Sequence, residues 1–195
     1  MASSNERPPT ENQVSNLPGC KVLITSHNDE GKGVVKHTEP VKWGLYDEER
    51  LAMSIAWTTQ FPSDLNNEAD IKLHKDRMAE GKTGLALGGG TVLRYVDFAP
   101  NYESMMHRTQ SVDYGIVTHG TIIAKFDSGE EHLMHAGDVC VQRATMHSWK
   151  NPSKTEWARM IFSLQDIKPL FFGEERLREA GVGDAEIIPP SGNDD

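Results

Sequence analysis

"MHRTQSVDYGIVTHG", residues 106–120, and "GDVCVQRATMHSWKN", residues 137–151, decide how this chain is read. Both set histidines among β-formers, the first ending on a glycine and the second opening on a Gly-Asp turn. Side chains alternate across a strand, so His107 and Thr109 share a face, as do Asp113, Gly115, Val117 and His119. Thr145, His147, Trp149 and Asn151 share another. With His107, Asp113 and His147 facing inward, three groups able to bind a metal or carry a proton line one cavity. Met105, Val117 and Trp149 supply apolar wall around them, which is the composition of a small-molecule site.

Outward from these stretches, short strand-like runs alternate with turns. "KVLITSH" (21–27), "GVVKHTE" (33–39), "LAMSIAWTTQF" (51–61) and "TVLRYVDFA" (91–99) precede the first stretch. "TIIAKFD", "EEHLMHA", "DVCVQRA" and "ARMIFSLQDI" follow, separated by "DSGE", "HAGD" and "NPSK", which carry the residues tight turns require. Many short strands at spacings of about ten residues predict an all-β sandwich or barrel. Two short peripheral helices are expected, over 68–81 and over 173–181, the second from its early acids, later arginines and terminal Gly181. Residues 1–18 and 189–195, polar and without apolar periodicity, read as mobile tails around a domain spanning 19–188.

The chain has 195 residues and a net charge of −9. That balance opposes binding to nucleic acid or to an anionic membrane surface. No run of about 18 apolar residues suggests a membrane span, and the N-terminus lacks the apolar segment of a secretory signal. Cys20 and Cys140 suit a reducing compartment, and the protein is read as cytoplasmic. "GLALGGG" (84–90) leads into a strand rather than a helix N-terminus. It is therefore read as a loop near the barrel mouth, and no nucleotide cofactor is expected.

Residues 104–166 resemble the two-motif core of a cupin, a small double-stranded β-helix or jelly-roll barrel. The cupin family's first motif runs His-x-His, three residues, Glu, six residues, Gly. Here it is His107, Arg108, Thr109, three residues, Asp113, six residues, Gly120. The second runs from a Gly-Asp turn to a histidine, three residues, then Asn, here Gly137, Asp138, His147 and Asn151. It is one residue shorter than the family pattern and lacks its Pro-x-Gly. The resemblance implies a metal site, which on this chain offers His107, Asp113 and His147 to one divalent Fe, Zn, Mn or Ni. Thr109 stands where the family places a second histidine. His119 lies six residues beyond Asp113.

The resemblance implies an enzyme acting on a small organic substrate, polyketide-like or carbonyl-bearing. Its chemistry would be general acid–base: dehydration, decarboxylation, isomerisation or cyclisation. His107, Asp113 and His147 would carry it, with Met105, Thr109, Val117, His119, Trp149 and Asn151 binding substrate. A metal-dependent dioxygenase and a non-catalytic ligand-binding cupin are the alternatives. The strand-like runs within residues 20–60 need a partner surface, and a homodimer in which they pair across subunits is expected.

Overall fold

The computed structural model describes residues 7–181 and 188–193. Residues 1–6 and 194–195, part of the two expected tails, lie outside the described residues, as do 182–187. The chain forms β1 (Lys21–His27), β2 (Gly33–Pro40), β3 (Gly44–Tyr46), β4 (Leu51–Gln60), a helix α1 (Ala69–Glu80), β5 (Gly90–Phe98), β6 (Ser111–His119) and β7 (Thr121–Phe126). Then follow β8 (Glu131–His135), β9 (Val139–Arg143), β10 (His147–Lys150), β11 (Ala158–Asp166), β12 (Leu170–Phe172) and β13 (Glu175–Leu177).

One sheet has the order β3-β4-β5-β11-β6-β9 and the other β10-β7-β8. From β6 to β11 the chain passes between the two sheets, which is the jelly-roll path expected from the sequence. In β11, Ala158, Met160, Phe162 and Leu164 alternate inward and are buried. They meet Val96 and Phe98 from β5 and Ile122, Ala124 and Trp149 from the smaller sheet in one apolar core.

Helix α1 lies where it is expected and stops at Gly81, which takes the left-handed cap conformation (φ 64°). The helix expected over 173–181 is replaced by the hairpin β12–β13. Nine residues give too few hydrogen bonds to hold a helix alone. The hairpin gains tertiary partners instead: Arg176 Nη2 donates to Gln110 Oε1 at 3.0 Å, and Arg108 and Ala180 exchange backbone hydrogen bonds of 2.8 and 3.0 Å. Arg108 Nε donates to the Arg178 carbonyl at 2.8 Å.

Residues 7–18, expected as a mobile tail, run against the outer face of the larger sheet. The reason is a buried charge pair. Arg159 Nε and Nη2 donate to the Asp97 carboxylate at 2.5 and 2.7 Å, and both side chains are almost wholly buried. The tail segment completes the shell: Ser15 donates to Asp97, the Pro18 carbonyl accepts from Arg159 Nη1 at 2.7 Å, and Trp43 lies 5.0 Å beneath the guanidinium. Satisfied in this way, the pair tolerates burial.

Residues 189–193 are likewise packed rather than loose. Ser191 is buried and donates to Glu179 at 3.0 Å, while Asn193 Nδ2 donates to the Gln110 carbonyl at 2.9 Å. The glycine-rich loop makes room for them. A Cβ on Gly84 would fall 2.7 Å from the Pro189 carbonyl oxygen.

Within residues 20–60, β4 pairs on both edges inside the chain, with β3 and β5, while β3 is an edge strand of the larger sheet. β1 and β2 form a separate hairpin outside both sheets, with Leu23 and Val35 exposed. Cys20 and Cys140 are free thiols. No helix among the described residues is long and apolar enough to cross a membrane.

Candidate active site

Between the sheets lies a cavity of about 120 Å³, lined among others by Met53, Arg94, Phe98, Met105, Thr109 and Phe162. His107, Asp113, His147 and Trp149 line it as well. Asp113 stands in the middle of β6, on the inward face predicted by alternation, and is 3% exposed. Ser111, two residues earlier on that face, donates to Asp113 Oδ1 at 2.5 Å, and Thr109 reaches Oδ2 at 3.5 Å. Burial pushes the Asp113 carboxyl up to about 7, because the charged form loses its water. The two hydroxyls and the Arg94 charge oppose that rise and do not overcome it.

His107 and His147 pair as an isolated bridge, exchanging backbone hydrogen bonds of 2.8 and 2.9 Å. Their rings sit 4.3 Å apart, and the His147 ring meets Trp149 edge-on at 5.3 Å. His107 Nδ1 lies 2.9 Å from the Met105 carbonyl, and His147 Nδ1 lies 2.9 Å from the Thr145 carbonyl. A carbonyl only accepts, so His107 Nδ1 carries the proton and its Nε2 is left as an acceptor; at His147 the Gln142 amide nitrogen lies against Nδ1 and 3.4 Å from Nε2, so the Thr145 carbonyl alone does not set that tautomer. Burial lowers the pKa of both rings. His147, further disfavoured by His107, falls to about 3. Both are neutral imidazoles at pH 7. Gln142, held at both ends by the Thr145 backbone at 2.9 and 3.0 Å, braces the His147 side.

Of the sequence-derived residues, the fold thus gathers Met105, His107, Thr109, Asp113, His147 and Trp149 around one cavity. It leaves three away from it. Val117, fully buried, belongs to the core rather than the cavity lining. His119 ends β6 half-buried beside Thr118, 3.1 Å away. Asn151 is a structural latch: its Nδ2 donates to the Phe98, Ala99 and Glu156 carbonyls at 3.0, 3.1 and 2.8 Å.

The structure adds Arg94, Ser111 and Gln142. Each left a signal. Arg94 shares the inward phase of Val92, Val96 and Phe98, Ser111 shares that of Asp113, and Gln142 sits opposite Asp113 in the β6–β9 register.

The structure does not bring His107, Asp113 and His147, the expected ligands, to ligand spacing. Among the described residues no three His, Cys, Asp or Glu side chains come together at ligand spacing. Asp113 is engaged by hydroxyls, and Thr109, where the family pattern has a histidine, is a weak donor to a divalent ion. No step below passes through a metal.

Gly181 lines the cavity in a left-handed conformation (φ 70°), and a Cβ there would meet the Met106 carbonyl and approach His107 Cα to 3.0 Å. Gly181→Ala is expected to lower stability by about 1–3 kcal/mol, read as a lower melting temperature. An unchanged melt would show that this contact is relaxed in solution.

The chain is 38% identical to phomopsin biosynthesis cluster protein C' of Diaporthe leptostromiformis, over 99% of this chain and all of that one. It is 37% identical to oryzines biosynthesis cluster protein J of Aspergillus oryzae, over 84% and 92% of the two chains. It is 41% identical to the cupin-domain-containing oxidoreductase virC of Hypocrea virens, over 77% of this chain and 78% of the relative. No protein-family model matches the sequence. Similarity of this extent to a cupin-domain relative, on a jelly roll carrying the two histidine motifs, makes the chain a member of the cupin family.

Proposed function

We propose that the cavity is an active site for proton transfer on a small carbonyl-bearing metabolite. The observation that carries this reading is the pairing of opposite proton affinities around one cavity. Asp113, held near 7, keeps a proton to give at neutral pH, while the neutral imidazole of His107, its Nε2 left as an acceptor, can take one up. Environments that push titratable groups apart in this way are how acid and base roles are divided. No hydrogen bond joins Asp113 to either histidine, so the proton passes through the substrate rather than along a relay. Asp113 is the general acid at the carbonyl oxygen, and an imidazole is the base at the neighbouring carbon. Enolisation of this kind is the first step of dehydration, isomerisation and aldol cyclisation, and in decarboxylation the same groups would handle the enol that loss of CO₂ leaves. The biosynthesis-cluster names of the relatives support a place in secondary metabolism.

The test is deuterium exchange. The purified protein, incubated in D₂O with a panel of small ketones and enoates, is expected to speed exchange at the carbon next to the carbonyl. NMR showing only the buffer rate across the panel would defeat the reading. The oxidoreductase names carried by several relatives favour a second reading, oxidation of the same class of compound. Oxygen uptake with the same panel separates the two.

We also propose a cytoplasmic homodimer. The free thiols support the compartment, and the exposed apolar residues of the β1–β2 hairpin support the interface. Light scattering is expected to give twice the monomer mass at micromolar concentration. Leu23→Glu with Val35→Glu should return it to the monomer.

A further inference from the structure

Two arginines are buried in the larger sheet, and they are treated differently. Arg159 is 1% exposed and has the Asp97 carboxylate against it on two nitrogens. Arg94 is 5% exposed and, among the described residues, has no carboxylate within ion-pair distance. Its Nη2 donates to the Gly84 and Leu85 carbonyls at 2.6 and 3.2 Å, and Nη1 has only the Met53 sulfur at 4.0 Å. Its Nε has no partner among the described residues. Burying a cation without its counter-charge costs several kcal/mol. A hydrophobic residue at this inward position would avoid that cost, as Val92 and Val96 do two residues to either side.

Arg94 lines the same cavity as Asp113 and the two histidines. Resting on the reading of that cavity as the active site, we propose that Arg94 is the recognition residue for a carboxylate on the substrate, which supplies the anion the fold withholds. The chemistry of the position favours a carboxylate over a phosphate. Two of its five N–H groups are donated to carbonyls, and the Nε and Nη1 groups that remain suit one or two oxygens rather than three. The surroundings, Met53, Val96 and Phe98, are apolar, so a guanidinium–carboxylate contact there is strengthened by the low dielectric. The arrangement also puts the anion and the proton donor at one site. The substrate class is therefore a carbonyl compound that carries its own carboxylate, such as an oxo acid or an unsaturated acid.

The experiment compares two probes of one shape, crotonate and crotonamide, by titration calorimetry at pH 6, where crotonate is ionised and Asp113 keeps its proton. Wild type is expected to bind crotonate at least tenfold more tightly than crotonamide. Arg94→Gln should weaken crotonate at least tenfold while leaving crotonamide within about twofold, and Arg94→Lys should keep part of the preference. A wild-type preference near one, or no measurable binding of either probe, overturns the proposal whether or not the variants fold. So does an Arg94→Gln protein that keeps the preference, or one that melts as wild type does and loses both probes alike. Asp113→Asn separates this proposal from the acid–base reading: it should keep the crotonate preference. If Asp113→Asn keeps both that preference and full proton exchange, the acid–base reading fails and the anion site stands.

Discussion

Asp113→Asn lowers kcat by roughly 10²- to 10⁴-fold and leaves KM nearly unchanged, the pattern of a group that acts in the transition state. The amide fills the same space, and Ser111 and Thr109 still have an oxygen to bond. What is lost is the proton. Both histidines are neutral, and the His107 proton is turned to the Met105 carbonyl, so His107 cannot replace it. The pH dependence follows with a definite sign. Asp113 is protonated below about 7, so turnover falls as pH rises through that value, and it falls again at low pH, where the imidazole base takes up a proton. His147→Gln costs turnover on the same scale, and Thr109→Val shifts KM or does little. Steady-state kinetics on a substrate found by the exchange assay, with thermal melts as the control for folding, measure all three. A folded Asp113→Asn protein with nearly full kcat would move the chemistry to other residues of the cavity.

The same two groups oppose one another in stability. Asp113 has its pKa raised from an ordinary 3.8 to about 7, so between those values the folded state holds a proton the unfolded state has lost. Stability from this source is present at low pH and is lost as pH rises toward 7. His147 is lowered from 6.5 to about 3, so in that range the unfolded state holds the extra proton. Stability from this source falls on acidification. Each slope is about 1.4 kcal/mol per pH unit, and between pH 4 and 6.5 the two cancel. Removing either partner exposes the other. Relative to wild type, Asp113→Asn is expected to lose about 3 kcal/mol of stability between pH 6.5 and 4, and His147→Gln to gain about as much. Burial lowers His107 too, but that slope is shared by all three proteins and drops out of the comparison. Denaturant melts at pH 4, 6.5 and 8 decide it, and parallel profiles for the three proteins would refute the opposed titrations.

Much of the fold was legible because its signals are local. Alternation plus turn residues located β1, β2, β4 to β9 and β11, and Gly81 marked the end of α1. The misreadings have tertiary causes. Residues 7–18 look like a tail until Asp97 and Arg159 are brought together from positions 62 residues apart and need covering. "GEERLREAG" has the charge pattern of a short helix, yet its backbone finds better partners at Arg108 and Gln110. The site shows what alternation can tell. Parity gave the correct face for Asp113 and also for Val117, but parity says nothing about height along a strand. Val117, four residues further on, is therefore in the core and not the cavity. Arg94 was readable as a charge in an inward phase, and a chain scanned for histidines and carboxylates passes over it.

A cavity of about 120 Å³ has a consequence for selectivity. It is slightly smaller than the 150 Å³ void that takes up one benzene. Only the reacting end of a substrate fits inside, and the remainder must lie beyond the entrance. Discrimination between substrates is then confined to that end, where each methylene is worth about 1–3 kcal/mol and a missing polar group more. Outside the entrance, bulk and decoration are read weakly. On the proposed reading of the cavity as an active site, selectivity would then rest on the functional group and little on the skeleton that carries it.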